Sequence, residues 1–385
     1  MPIDRGDAVA LTSALVAVDS RNPSLVPGAP GENEVAKLLA GVLRAWGCGV
    51  ELQEVAPGRP NVIARVGKGS GRSLMFNGHL DIVDVRGMTH EPFEPVESDG
   101  RIWGRGSSDM KSGVAAMCAA AVRALDQGLA GEIVIAAVVD EEFASLGTRA
   151  VIERGIRADA AIVTEPTRLA IMPAHRGFVW MDLHVAGRAA HGSRWDIGVD
   201  AIRHAGLFLA ELDRYDAMTL TARSHALLGR PSVHASVISG GTGMSTYPDR
   251  CDVAIERRTI PGESAAQVLT EMEELVDRVR LVRPEFDGRL AVSISQSPSD
   301  VSTSAPIVRA LSGALAACGI LESIDGMSAW TDAALLNDAG IPAICFGPGD
   351  IALAHAAEEF VNRREIEDAA RVLTQLAVQW TSERG

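Results

Sequence analysis

The segment Asn77-Gly78-His79-Leu80-Asp81 ends an apolar, strand-like run, and the chain makes this kind of ending repeatedly. Asp109 lies in Gly106-Ser107-Ser108-Asp109-Met110-Lys111, just before a helix-like stretch. Asp140-Glu141-Glu142 and Glu165, within Thr164-Glu165-Pro166, each follow an apolar run, and His355 follows the loop Gly347-Pro348-Gly349-Asp350. Groups placed this way constrain the fold to an open α/β sheet, which gathers its functional side chains at the carboxyl ends of its strands. Two histidines and several carboxylates converging on one rim imply a pair of divalent metal ions and hydrolytic chemistry.

Periodicity supplies the frame around these points. Residues 6–18 and 32–46 carry apolar residues at helical spacing, parted by a Pro/Gly-containing loop over 22–31. Short β-like runs follow at 49–55, 61–66 and 73–77. Residues 111–127 are Ala-rich and helical, and 132–139 and 160–163 read as strands. Such alternation predicts a mostly parallel central sheet flanked by helices. Near residue 176 the texture changes to strand 178–186, helix 197–213, strand 233–239, a turn at Gly240-Gly241, strand 251–258, helix 263–281 and strand 289–296. That order, β-α-β-β-α-β, is a ferredoxin-like unit. Helices over 305–317 and 331–339, a strand at 343–346 and a helix from Arg364 then resume the first pattern. The expected organisation is a discontinuous catalytic domain, 1–175 and 298–385, with a smaller α+β domain inserted over 176–297.

Composition narrows the function classes. At 385 residues two domains are the default. With 47% hydrophobic and 22% charged residues, the chain has a soluble globular profile. A formal charge of −14 argues against nucleic-acid partners and anionic membranes, both of which reward basic patches. The five cysteines are odd in number and lack CxxC spacing, so they read as reduced thiols. With no basic-then-apolar leader and no run of ~20 apolar residues, the expected location is cytoplasmic.

Taken singly, each chemical position has two readings. His79 and Asp81 are two apart at a strand end, so an Asp81–His79–metal relay is open to them, as is a core histidine beside a turn aspartate. Asp109 is placed to bridge two cations or to cap a helix. Asp140-Glu141-Glu142 could be a solvated acidic turn. Three adjacent carboxylates at a buried strand end, however, call for compensating cations or protons. Neighbours facing opposite ways would then give one metal ligand and one general base. His191 in Ala190-His191-Gly192-Ser193 reads equally as a turn residue, and Arg258 as a surface charge.

The ordered set resembles the M20 metallopeptidase and deacylase family, whose members include acetylornithine deacetylase and succinyl-diaminopimelate desuccinylase. The motifs carrying it are Gly78-His79-Leu80-Asp81, the segment 104–111, Asp140-Glu141-Glu142, Thr164-Glu165-Pro166, Ala190-His191-Gly192-Ser193, the segment 258–263 and Phe346-Gly347-Pro348-Gly349-Asp350. The resemblance implies that His79 and Glu165 hold one zinc, Glu142 and His355 a second, and Asp109 bridges both. Cobalt or manganese would also suit these ligands. It further implies that Asp81 orients His79, Glu141 is the general base, and the bond after Asp109 is cis. The inserted domain would be a lid and dimerisation domain, with His191 reaching the partner's site in a homodimer. Arg258 would contact a substrate carboxylate. The implied reaction is hydrolysis of an N-acyl-L-amino acid, with desuccinylase or glutamate carboxypeptidase activity as alternatives. A non-catalytic metal-binding or interaction protein on the same scaffold is a reading of a different class. Ser112 and Ala356-Ala357 depart from the commonest family pattern around the site.

Overall fold

In the computed structural model, which describes residues 2–382, four strands run parallel and side by side, in the order Glu132–Val138, Ser73–His79, Ala160–Val163 and Ala343–Cys345. Their residues are almost all buried, which is why they read as near-continuous apolar runs rather than as alternating ones. Parallel character belongs to the centre of the sheet. The hairpin Gly49–Ala56 and Arg59–Val66 adds antiparallel strands on one side, and Ile171–His175 pairs antiparallel through Met172 and Cys345 on the other. The expected mostly parallel sheet flanked by helices is therefore present.

Register brings the strand ends level: His79 pairs with Val138, Asn77 with Val163, and Val163 with Cys345. Helices cover the sheet at close range. The helix Ser112–Asp126 is buried along nearly its whole length, and its alanines let the helix Arg363–Ser382 pack against it. Gly113 sets the closest approach, because a Cβ there would stand 1.9 Å from the carbonyl oxygen of Thr164. Gly113→Ala is accordingly expected to destabilise by about 1–3 kcal/mol, as overpacking does, read as a lower denaturant midpoint. An unchanged midpoint would mean that the helix is free to shift.

Contacts divide the chain into two compact units. One comprises residues up to Pro173, Val301–Asp325 and the residues from Thr331 on; the other comprises Ala174–Asp300 with Gly326–Trp330. The second unit has its own core. Its strands lie in the order Ser232–Gly240, Arg250–Thr259, Gly177–Ala186 and Asp287–Gln296, every pair antiparallel. Val179, Met181, Leu183 and Val185, alternating along one strand, meet Phe208 and Leu212 of the helix Ala201–Met218 and Leu275 of the helix Ala265–Val282. This is the ferredoxin-like order.

Two local expectations differ from the structure. The first helix of this unit begins at Ala201 rather than near 197, because Asp200 caps it by accepting from Arg203 N at 2.9 Å. Gly198, just before the cap, packs flat on Tyr247, leaving no room for a side chain. The strands ending at Gly240 and starting at Arg250 are joined by the loop 241–249, not by a tight Gly240-Gly241 turn. In the first unit, the helix Leu146–Glu153 and a small sheet of Val96–Ser98, Arg101–Trp103 and Phe360–Asn362 had no counterpart in the sequence reading. Three-residue strands are too short to show a period. Among the described residues no helix is long and apolar enough to cross a membrane.

Candidate metal and catalytic site

The level strand ends bring six of the predicted residues together. His79 is the last residue of its strand, Asp140-Glu141-Glu142 follows Glu132–Val138 after one residue, and Glu165 follows Ala160–Val163. Asp109 comes from the loop before the helix Ser112–Asp126, and the bond between Asp109 and Met110 is cis, as the family resemblance implied. His79 Nε2 lies 3.1 Å from Asp109 Oδ1. His355 Nε2 lies 3.1 and 3.2 Å from the two Glu142 oxygens and 3.6 Å from Asp109 Oδ2. Two groups have ligand atoms all within 4.8 Å of one another: His79, Glu141 and Glu165, and His79, Asp109 and Glu142. Glu141 therefore stands in one neighbourhood with His79 and Glu165.

The electrostatics of this cluster are unbalanced. Burial, the largest influence, pushes the carboxyl groups of Glu141 and Glu165 well above their usual range and raises Glu142 as well, with the neighbouring carboxylates adding to it. Burial disfavours the charged ring of His79, yet its hydrogen bond to Asp109 and the surrounding carboxylates raise its pKa well above the ordinary value. The hydrogen bond to Glu142 lifts His355 to about 9. Burial also works against ionised Asp109, but the two imidazoles hold it below its normal value. Four carboxylates crowded against two imidazoles are short of positive charge. Oxygen and imidazole donors at this spacing fit divalent cations, which would supply it.

Asp81 departs from the expected relay. The partner of His79 Nδ1 is the carbonyl oxygen of Asp81 at 2.9 Å, whereas its carboxylate is 3.8 Å away. The strand has ended at His79, and the turned chain aims the carboxylate elsewhere. It accepts from the amides of Glu141 and Glu142 at 3.1 and 3.2 Å and from Asn22 Nδ2 at 2.8 Å. Asp81 thus holds the loop that carries the two glutamates. Asn22 also donates to Asp140, and Arg59 bridges Asp140 at 2.9 Å and Glu32 at 2.5 Å, all with little or no exposure.

Sequence reasoning did not single out Asn22, Glu32, Arg59 or Asp332. Asp332 is buried beside the cluster, its carboxyl pushed up to about 6 by that burial, and accepts from Thr148 Oγ1 at 2.6 Å. Nothing in spacing marked these residues, since their partners lie far along the chain.

His191 and Arg258 belong to the other unit. His191 is exposed; Ser193 Oγ lies 2.8 Å from Nδ1 and Ser193 N donates to the same nitrogen at 3.3 Å. A backbone amide can only donate, so Nδ1 accepts and the neutral ring carries its proton on Nε2. Arg258 lies over the Phe178 ring at 5.4 Å and pairs with Glu256 at 3.0 Å. Its neighbour Arg257 is fully buried against Glu263 at 2.5 Å.

The family model described as peptidase family M20/M25/M40 matches residues 75–379. The chain belongs to this family. An acetylornithine deacetylase from Myxococcus xanthus is 31% identical over 85% of this chain and 84% of its own length. The N-formyl-4-amino-5-aminomethyl-2-methylpyrimidine deformylase of Bacillus subtilis is 28% identical over 93% and 92%. Among solved structures, aminopeptidase PepT from Bacillus cereus superposes with a TM-score of 0.81 at 20% identity, each chain covered completely. An M20 family metallo-carboxypeptidase from Sulfolobus solfataricus gives 0.80 at 16%, covering 97% and 99%. These two likenesses support the M20 fold. The six clustered residues all lie within the part of the chain that the M20 family model matches.

Proposed function

We propose that this M20 protein is a dinuclear-metal amidohydrolase that removes the acyl group from an N-acyl-L-amino acid. The observation that carries the reading is Glu141 standing beside a buried His/carboxylate ligand set at the strand-end rim. His79 and Glu165 would hold one cation and Glu142 and His355 the other, with Asp109 between them. Zinc is the first choice, cobalt and manganese the alternatives. When bound, such a pair lowers the pKa of water from 15.7 toward ~7 and polarises the scissile carbonyl.

The chain's own residues then divide the work. Glu141, its carboxyl raised by burial, is suited to take a proton and return it to the leaving amine. Asp81 keeps the amides of Glu141 and Glu142 in place, fixing base and ligand relative to one another. The partner subunit's His191, in a homodimer formed through the inserted domain 176–297, would donate from Nε2 to the developing oxyanion. The Ser193 contacts support that tautomer. Arg258 would offer a guanidinium fork to the substrate carboxylate. All five cysteines are free thiols, which supports a cytoplasmic setting.

The relative from Bacillus subtilis favours a second reading, deformylation of an aminomethylpyrimidine formamide, because it is similar over nearly the whole of both chains. The test is amine release from N-acetylornithine, N-succinyl-diaminopimelate, N-acetylmethionine, an N-acylglutamate and the formylated aminopyrimidine, with zinc or cobalt and with chelator. Chelator-sensitive cleavage of an N-acyl amino acid is expected. Cleavage of the formamide alone would replace the substrate class. A wild-type protein that binds no divalent metal would overturn the reaction itself.

A further inference from the structure

The geometry points to Glu359 as a positioning residue that clips the loop bearing Asp109 to the loop bearing His355, and so sets the spacing of the metal ligands. This inference rests on the dinuclear reading above. Of the pair Glu358-Glu359, only Glu359 is buried, with no exposed surface, and its carboxylate and carbonyl oxygens accept from the segment 104–109. One carboxylate oxygen accepts from two consecutive amides, Ser108 N at 3.0 Å and Asp109 N at 3.1 Å. The other accepts from Arg105 Nη1 at 2.7 Å, and Arg105 is itself 2% exposed. The Glu359 carbonyl oxygen also accepts from Gly104 N at 3.2 Å.

Two adjacent N–H groups converging on one oxygen fix the orientation of both peptide planes. The direction in which Asp109 leaves the backbone follows from that. Its carboxylate then reaches His79 Nε2 at 3.1 Å and His355 Nε2 at 3.6 Å. His355 stands four residues before Glu359, and the residues just after it, Phe360–Asn362, pair antiparallel with Arg101–Trp103. A second tie runs parallel to the first: Ser108 Oγ donates to Asp350 O at 3.1 Å and accepts from Asp350 N at 3.0 Å. The two ligand loops are far apart in the chain, and the Glu359 carboxylate joins them beside Asp109. Groups that orient metal ligands commonly change metal affinity or activity by ~10–100-fold when removed.

A buried Arg–Glu pair that served stability alone would leave metal binding untouched, which makes the two roles separable. The experiment measures metal stoichiometry and affinity by competition with a chromophoric chelator, using zinc and cobalt, together with kcat, KM and Tm for full-length wild type, Glu359→Ala, Glu359→Gln and Arg105→Gln. Glu359→Ala is expected to weaken metal affinity by ~10–100-fold and to lower kcat at saturating metal, with KM little changed. Glu359→Gln keeps an oxygen for the two amides and should fall between Ala and wild type. Arg105→Gln leaves both amide bonds and should stay nearer wild type than Glu359→Ala. If Glu359→Ala does not fold, the comparison of Glu359→Gln with Arg105→Gln decides. Variants with a lower Tm but wild-type metal affinity and kcat would overturn the clip. Wild type that takes up no metal would instead remove the functional reading on which the clip rests.

Discussion

Glu141→Ala is expected to lose turnover by about 10²–10⁴-fold in kcat, the usual worth of a general acid–base group, while keeping the metal content of the wild type. The argument combines position and environment. Glu141 follows the strand Glu132–Val138, its amide held by Asp81, and shares a 4.8 Å neighbourhood with His79 and Glu165. Its carboxyl is raised by burial and by Glu165, which suits it to proton exchange. Metal analysis beside the kinetics separates the two roles open to it. Retained metal with lost kcat identifies the base; loss of one metal would make Glu141 a ligand and require another base.

Arg59→Ala is expected to destabilise the fold by about 3–5 kcal/mol, the cost of leaving a buried charge without its partner. Arg59 pairs with Glu32 at 2.5 Å and Asp140 at 2.9 Å, and neither carboxylate has side-chain surface exposed. Burial, the larger influence, pushes the Glu32 carboxyl up, and the Arg59 guanidinium opposes that rise. Asp140 has a positive φ of 67° and begins the Glu141-Glu142 loop. The variant should therefore lose activity as well as stability, through the position of that loop. Chemical denaturation checks the first effect, and a loss below about 1 kcal/mol would mean that water reaches Glu32 and Asp140 once the arginine is gone.

The frame and the central cluster were legible because they depend on local pattern. Apolar runs ending at His79, Asp140 and Glu165 predict strands whose ends carry the site, and the parallel register places those ends together. The β-α-β-β-α-β order over 177–296 could be read the same way, since each element is long enough to show its period. Asp81 shows where such reading fails. Two-residue spacing predicts a carboxylate facing the His79 ring, but the strand ends at His79, and the turned chain delivers a carbonyl oxygen in its place.

What the sequence determined by itself was the set of elements and the chemical types at their ends, because hydrophobic periodicity and side-chain chemistry are properties of neighbouring residues. Only the tertiary structure decided which distant groups hold those ends in place. Glu359 meets the amides of Ser108 and Asp109, Arg59 meets Glu32 and Asp140, and Asn22 joins Asp81 to Asp140. None of these partners shares a period or a motif. They meet because buried polar groups must be paired, and the packing of the strands and loops decides which partner is within reach.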